Sequence, residues 1–216
     1  KPVLINAEMK TRDFIESRVG KLEWGSWEEF KAIRERLILE DPLYEFDVGK
    51  LRKKLLKMKI QERVSDLKSV EELSEEAFRL FFKERNKVKF FPFVLEEIEK
   101  LSQIYELGCL TNGNANIEMI GVDKFFEFNI SSKDVNANKP SRNHFEKAKE
   151  LLGVEKDEML HVGDHKINDI HGAIDFGIKA LWFNPNNEDW DIDGTEKPSE
   201  FDSWKGISEK ISDLYN

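Results

Sequence analysis

Apolar positions follow two different rhythms along this chain. Up to about residue 87 they recur every three or four residues and do not alternate. Pro2 to about Arg18 carries Val3, Ala7, Phe14 and Ile15, and a second stretch carries Phe30, Ile33, Leu37 and Ile38. A third carries Leu51, Leu55, Met58 and Ile60, and a fourth Leu73, Ala77, Leu80 and Phe81. Each set fits one face of a helix. Ser26-Trp27-Glu28-Glu29 reads as a capping box that starts the second helix, and Asp41-Pro42 ends it. Asp47 is placed to cap the third, which the pattern carries through Val64. Ser69 to about Arg85 makes the fourth. Consecutive helices without a strand between them predict a small bundle.

From Val88 the rhythm changes. Short apolar runs at 106–110, 126–130, 159–162 and 178–183 are separated by helical stretches. Those stretches end at Ser102 and cover Ile117–Ile120, Ser141–Leu152 and Lys166–Phe176. This alternation predicts an α/β region with a parallel sheet covered by helices on both faces. The narrower strand expectations are Gly108–Leu110, Phe128–Ile130, Leu160–Val162 and Ala180–Trp182. Gly177 is placed as a helix C-cap. Residues 184–200, rich in Asn, Asp, Gly and Pro, read as an irregular surface loop, and Ile207–Leu214 as a closing helix. The organisation is therefore a helical domain at 1–87 and an α/β core at 88–216.

Composition narrows the partners. The chain has 216 residues and a net charge of −9, with 36% charged residues. That charge disfavours nucleic acid and anionic membrane surfaces. A phosphate ester remains admissible where a metal ion and a lysine set the local field. Cys109 is the only cysteine, so no intramolecular disulfide forms. Its apolar strand predicts a buried, inert thiol. No apolar run approaches the roughly 18 residues that span a bilayer, and no signal-peptide pattern opens the chain. The expected location is the cytoplasm.

The chemistry concentrates in Leu160-His161-Val162-Gly163-Asp164-His165-Lys166-Ile167-Asn168-Asp169-Ile170. A strand delivers Asp164 to its C-terminal end, where ligands bind in open α/β sheets. Gly163 is read as the residue that lets the backbone turn tightly. Asp169 falls in the first turn of the next helix and points back to the same spot. Two carboxylates there suit Mg²⁺. The plain alternative makes Asp164 a helix N-cap and Asp169 a solvated helix residue. Cys109-Leu110-Thr111-Asn112-Gly113-Asn114 also ends a strand in a hydroxyl residue and a turn, and Lys139-Pro140-Ser141 opens a further helix. Thr111, Lys139 and Asp164 come in that order, each read as following a strand.

Over residues 88–185 these motifs resemble the haloacid dehalogenase superfamily of phosphohydrolases. The Leu-Thr-Asn-Gly-Asn and His-Val-Gly-Asp wording looks most like its flavin mononucleotide and ribitylaminouracil phosphate phosphatase branch. The resemblance implies a Rossmann-like core with the helical segment as a cap, and hydrolysis of a small-molecule phosphate ester with Mg²⁺. It implies that Thr111 donates its hydroxyl to the phosphoryl group and that the Asn112 backbone adds a donor. Lys139 neutralises a phosphoryl oxygen, and Asp164 binds the metal. Asp169 holds a metal-bound water or orients Lys139. Asn112 and Asn114 lie in the loop expected to face substrate.

The family's first motif, Asp-x-Asp-x-Thr, is not found in these residues. The nucleophile is therefore expected upstream of Lys1, and the sheet is expected to show a gap where its first strand belongs. His161 is expected to be packed or hydrogen-bonded, His165 to lie at the surface, and His144 and His171 to be structural. No His/Cys spacing suggests zinc. A monomer or weak homo-oligomer is expected. Two further readings stay open: a haloalkanoic acid dehalogenase on the same fold, and a truncated or degenerate member that binds without catalysis.

Overall fold

The structure is a computed structural model that describes residues 2–214. The chain folds as two units, Lys1–Val88 with Gly113–Gly121, and Lys89–Asn112 with Val122–Asn216. A division at 87/88 does not anticipate that the short segment 113–121 packs with the helices.

In the first unit, α1 is Pro2–Val19, α2 Trp27–Glu40, α3 Leu43–Phe46, α4 Val48–Gln61 and α5 Leu67–Arg85. The Ser26/Glu29 capping box forms as read: the Glu29 N–H donates to Ser26 Oγ, and the Ser26 N–H donates to Glu29 Oε2 at 2.7 Å. Asp47 caps α4 by accepting from the Lys50 N–H at 2.8 Å. The cap of α5 is Asp66, so that helix begins earlier than Ser69. Ile15, Leu22, Leu56, Ile60, Val70 and Ala77 make one apolar core between α1, α4 and α5.

The segment 113–121 carries α7, Ile117–Ile120, capped by Asn116. Buried Asn86 fastens it. Asn86 Oδ1 accepts from the Asn116 N–H at 2.9 Å, and Asn86 Nδ2 donates to the Phe82 carbonyl at 2.8 Å.

The second unit starts with α6, Val94–Ser102, whose N-cap Phe93 has φ 67°. Its strands are β1 Gly108–Thr111, β2 Phe128–Ser131, β3 Leu160–Gly163, β4 Lys179–Phe183 and β5 Ser199–Phe201. Its remaining helices are α8 Ser132–Val135, α9 Asn143–Leu152, α10 Gly172–Phe176 and α11 Ile207–Asp213. Lys166–His171 winds as a π-helix ahead of α10. Gly177, at φ 92°, ends α10 as read. The stretch 184–200 is not wholly irregular, because it leads into β5, which pairs with β4.

All pairings are parallel, and the fold is a Rossmann-like α/β fold, but the sheet comes in two ladders. β1 pairs with β2 in the register Gly108 opposite Phe128, and β3–β4–β5 form the second ladder. Both ladders share one core. Ile130, Phe145, Ala148, Met159, Ala173, Phe176 and Ile178 are buried together, with Leu110 and Ala180 packed against them. Full burial of a side chain such as Phe145 contributes about 1.5–3 kcal/mol. A second cluster, including Leu101, Leu181, Phe183, Phe201, Ile207 and Ile211, covers the other face. The sheet is therefore apolar on both faces, which leaves the strand ends as the place for polar chemistry.

Candidate active site

Thr111 ends β1, opposite Ser131 of β2. Asn112 follows, and its side chain embraces the peptide of Lys139. The Lys139 N–H donates to Asn112 Oδ1 at 2.7 Å, and Asn112 Nδ2 donates to the Lys139 carbonyl at 2.9 Å. Asn112 is read from sequence as a substrate contact, and its side chain holds the backbone that carries the lysine.

Lys139 does not directly follow a strand as its motif suggests. β2 ends at Ser131, and α8 and a loop intervene before a cis Lys139–Pro140 peptide. The side chain still returns to the strand ends. It is 6% exposed, and its ammonium donates to the Leu110 carbonyl of β1 at 2.8 Å and to Asp169 Oδ1 at 2.6 Å. Lys139 therefore ties the β1 ladder to the turn after β3.

Asp164 and Asp169 have different surroundings. Asp164, the first residue after β3, is exposed, and its carboxylate has no hydrogen bond or ion pair among the described residues. Its carbonyl accepts from Trp182 Nε1 at 3.2 Å. Asp169 is buried, with both oxygens engaged: Oδ1 accepts from Lys139, and Oδ2 accepts from the His165 N–H at 3.0 Å. Of the two sequence-stated roles for Asp169, the geometry fits orientation of Lys139.

Gly163 does not have a positive φ, so a tight turn is not what requires glycine there. Space is. A Cβ at Gly163 would lie 2.6 Å from Asp169 Cγ and 2.7 Å from its Oδ2. His165 is exposed, as read, and its Nδ1 accepts from the Asn168 N–H at 3.1 Å, which caps the π-helical turn. Asp169 lies within that turn, and π-helical turns recur at functional sites because they re-aim side chains.

Electrostatics follow from burial. Burial alone would raise the Asp169 carboxyl, but His161 and Lys139 outweigh it and hold the group well below the usual carboxylate range. His161 sits 3.5 Å from Asp169 Oδ1, and burial pushes its imidazole down. His144 is fully buried on α9. Burial, helped by the Lys139 charge, takes it down to about 4, with the Thr111 backbone offsetting this only in part. Cys109 is half-buried, and desolvation raises its thiol, which fits an inert side chain. The sequence offered no signal that Asn112 holds the Lys139 backbone, because side-chain partners 20 or more positions apart leave no local pattern.

Among the described residues no group of three His, Cys, Asp or Glu side chains is placed to hold a metal ion, and no helix is long and apolar enough to cross a membrane. An open carboxylate at a strand end still suits Mg²⁺, which needs only one or two protein carboxylates beside water and phosphate oxygens.

Comparison with known proteins places this arrangement. The ribitylaminouracil phosphatase YigB of Escherichia coli, in full 5-amino-6-(5-phospho-D-ribitylamino)uracil phosphatase, is 26% identical over 195 residues, 88% of this chain and 82% of that protein. The glyceraldehyde 3-phosphate phosphatase of Pyrococcus abyssi is 38% identical over 84 residues, 37% of this chain and 35% of that protein. A solved 2-haloacid dehalogenase from Pseudomonas syringae superposes with a TM-score of 0.91 at 31% identity, covering 99% of this chain and 92% of its own. Residues 38–183 match the model of the haloacid dehalogenase-like hydrolases, and this chain belongs to that family.

Proposed function

We propose that the chain is a Mg²⁺-dependent phosphatase acting on a small phosphate monoester. The observation that supports this most is the buried Lys139–Asp169 pair beside the open Asp164 carboxylate. Phosphoryl transfer is catalysed mainly by fixed positive charge and donors, and an oriented lysine supplies the first. In this reading Asp169 and the Asn112 side chain hold Lys139 at the strand ends, and its ammonium neutralises a phosphoryl oxygen. The Thr111 hydroxyl and the Asn112 backbone N–H donate to the same group. Asp164 is the metal ligand supplied by this chain. Bound Mg²⁺ would neutralise phosphate charge there and help orient it.

The attacking carboxylate is not among the residues assigned here. In this reading an aspartate carboxylate attacks phosphorus and forms an aspartyl-phosphate as the alcohol leaves, and water hydrolyses that ester. The protein acts as a monomer or weak homo-oligomer in the cytoplasm, with neither nucleic acid nor membrane as a partner. The helical unit serves as the cap.

The test is hydrolysis of p-nitrophenyl phosphate, ribitylaminouracil phosphate and glyceraldehyde 3-phosphate, each with Mg²⁺ and with a chelator. Release of phosphate that needs Mg²⁺ and fails in Asp164→Asn supports the reading. Equal turnover in the chelator sinks it.

A second reading, a 2-haloacid dehalogenase, is favoured by the 31% identity to the Pseudomonas syringae structure. Chloride release from 2-chloropropionate without added metal would support it. The open Asp164 carboxylate has no task in that reaction, so phosphatase is preferred.

A further inference from the structure

We propose that His161 is a positioning residue: it presents an Nε2–H to Asp169 Oδ1 and so keeps that carboxylate turned toward Lys139. The proposal deepens the phosphatase reading, but its structural part stands without it.

His161 lies on β3 opposite Ala180 of β4, with its side chain 12% exposed. Its Nε2 is buried and makes no hydrogen bond, and Asp169 Oδ1 lies 3.5 Å from it. That is longer than a normal bond, so the contact is loose in this state. The same oxygen takes the Lys139 ammonium at 2.6 Å. The ring has little freedom. Phe145 meets it edge to face, with centroids 5.1 Å apart at 86°, and Phe145 itself stacks on Phe176. The charged and titratable groups around the ring are Lys139, Asp169 and His144.

These contacts decide the tautomer. A bare nitrogen lone pair facing a carboxylate oxygen is repulsive, and an N–H facing it is attractive. The proton of a neutral imidazole therefore belongs on Nε2. Asp169 then has four restraints: Lys139, the His165 N–H, the wall at Gly163 and the His161 N–H. Loss of the last frees the carboxylate to rotate, and Lys139 loses its fixed direction. A ring that merely fills space against Phe145 would have no preferred tautomer and no effect on the lysine.

Two measurements separate these cases. Long-range ¹H–¹⁵N spectra of the ¹⁵N-labelled chain, with the His161 ring assigned through His161→Leu, should show the Nε2–H form. The ring shifts should move in Asp169→Leu. A dominant Nδ1–H form, or shifts indifferent to Asp169→Leu, overturns the proposal. Kinetically, His161→Leu should lower kcat about 10-fold, the smaller end of what outer-shell partners contribute, with KM within about twofold. His161→Gln keeps an N–H donor and should recover most of that loss. Equal losses in both variants overturn the proposal in favour of packing. If no variant, nor the parent, hydrolyses any phosphate ester, the phosphatase reading fails while the spectra still decide on His161.

Discussion

Gly163 and Asp169 fit together so closely that a single methyl on Gly163 would fall 2.6 Å from the Asp169 carboxyl carbon. The strand end and the π-helical turn are thus shaped as a pair. Gly163→Ala is expected to cost about 1–3 kcal/mol, the usual range for overpacking a filled site. Urea unfolding measures it. Because the same carboxylate steers Lys139, phosphatase activity should fall in step. A variant as stable and as active as the parent would show that the turn relaxes freely.

Lys139 and Asp169 are both nearly inaccessible, so removing one leaves the other charged and unpaired. Lys139→Met is expected to destabilise the fold by about 3–5 kcal/mol, as for other broken buried pairs. Lys139→Met combined with Asp169→Leu should recover a large part of that loss and none of the activity. Denaturant midpoints of the three proteins test this. Additive losses would mean that the pair is not coupled.

Asp164 offers the opposite behaviour. Its carboxylate is exposed and unpartnered among the described residues, so Asp164→Asn should change stability by less than about 0.5 kcal/mol. It should abolish any rise in melting temperature on adding Mg²⁺, since binding to the folded state alone is what raises it. A Mg²⁺ response that survives the substitution would move the metal elsewhere.

His144 gives the fold a pH dependence of known sign. Its folded value is about 4 against an ordinary 6.5, so the unfolded chain binds the extra proton between those values. Stability from its burial is complete above pH 6.5 and is lost as pH falls toward 4. Asp169 adds a second loss lower down, below its ordinary 3.8, because its carboxyl is held down in the fold. Thermal melts from pH 7 to 4 should show the first loss, and His144→Met should flatten it. An unchanged slope in that variant would assign the effect to other groups.

The sequence was most informative where the physics is local. The capping box at Ser26 and Glu29, the Asp47 cap and the Gly177 stop each involve residues within a few positions of one another, and all three form. Strand ends at Thr111 and Gly163 were likewise close to their expected places. β5 escaped because three residues within a polar stretch carry too little alternation to register. Asn112 was read as a substrate contact because its loop position suggested it. Its side-chain bond to the Lys139 carbonyl spans 27 positions, out of reach of any periodicity. Gly163 was read through backbone freedom, whereas what matters is a side chain six residues on.

The Asn86–Asn116 clasp has a practical consequence for anyone who would divide this protein. Each unit draws on two separate stretches of chain, so no single cut between helices and sheet yields an intact half. Cutting after Val88 would strip the segment 113–121 of the helices it packs with, while the turn at Thr111 and Asn112 remains covalently joined to it. Grafting a foreign helical unit onto this core would have to bring its own version of that segment, spliced in directly after Asn112.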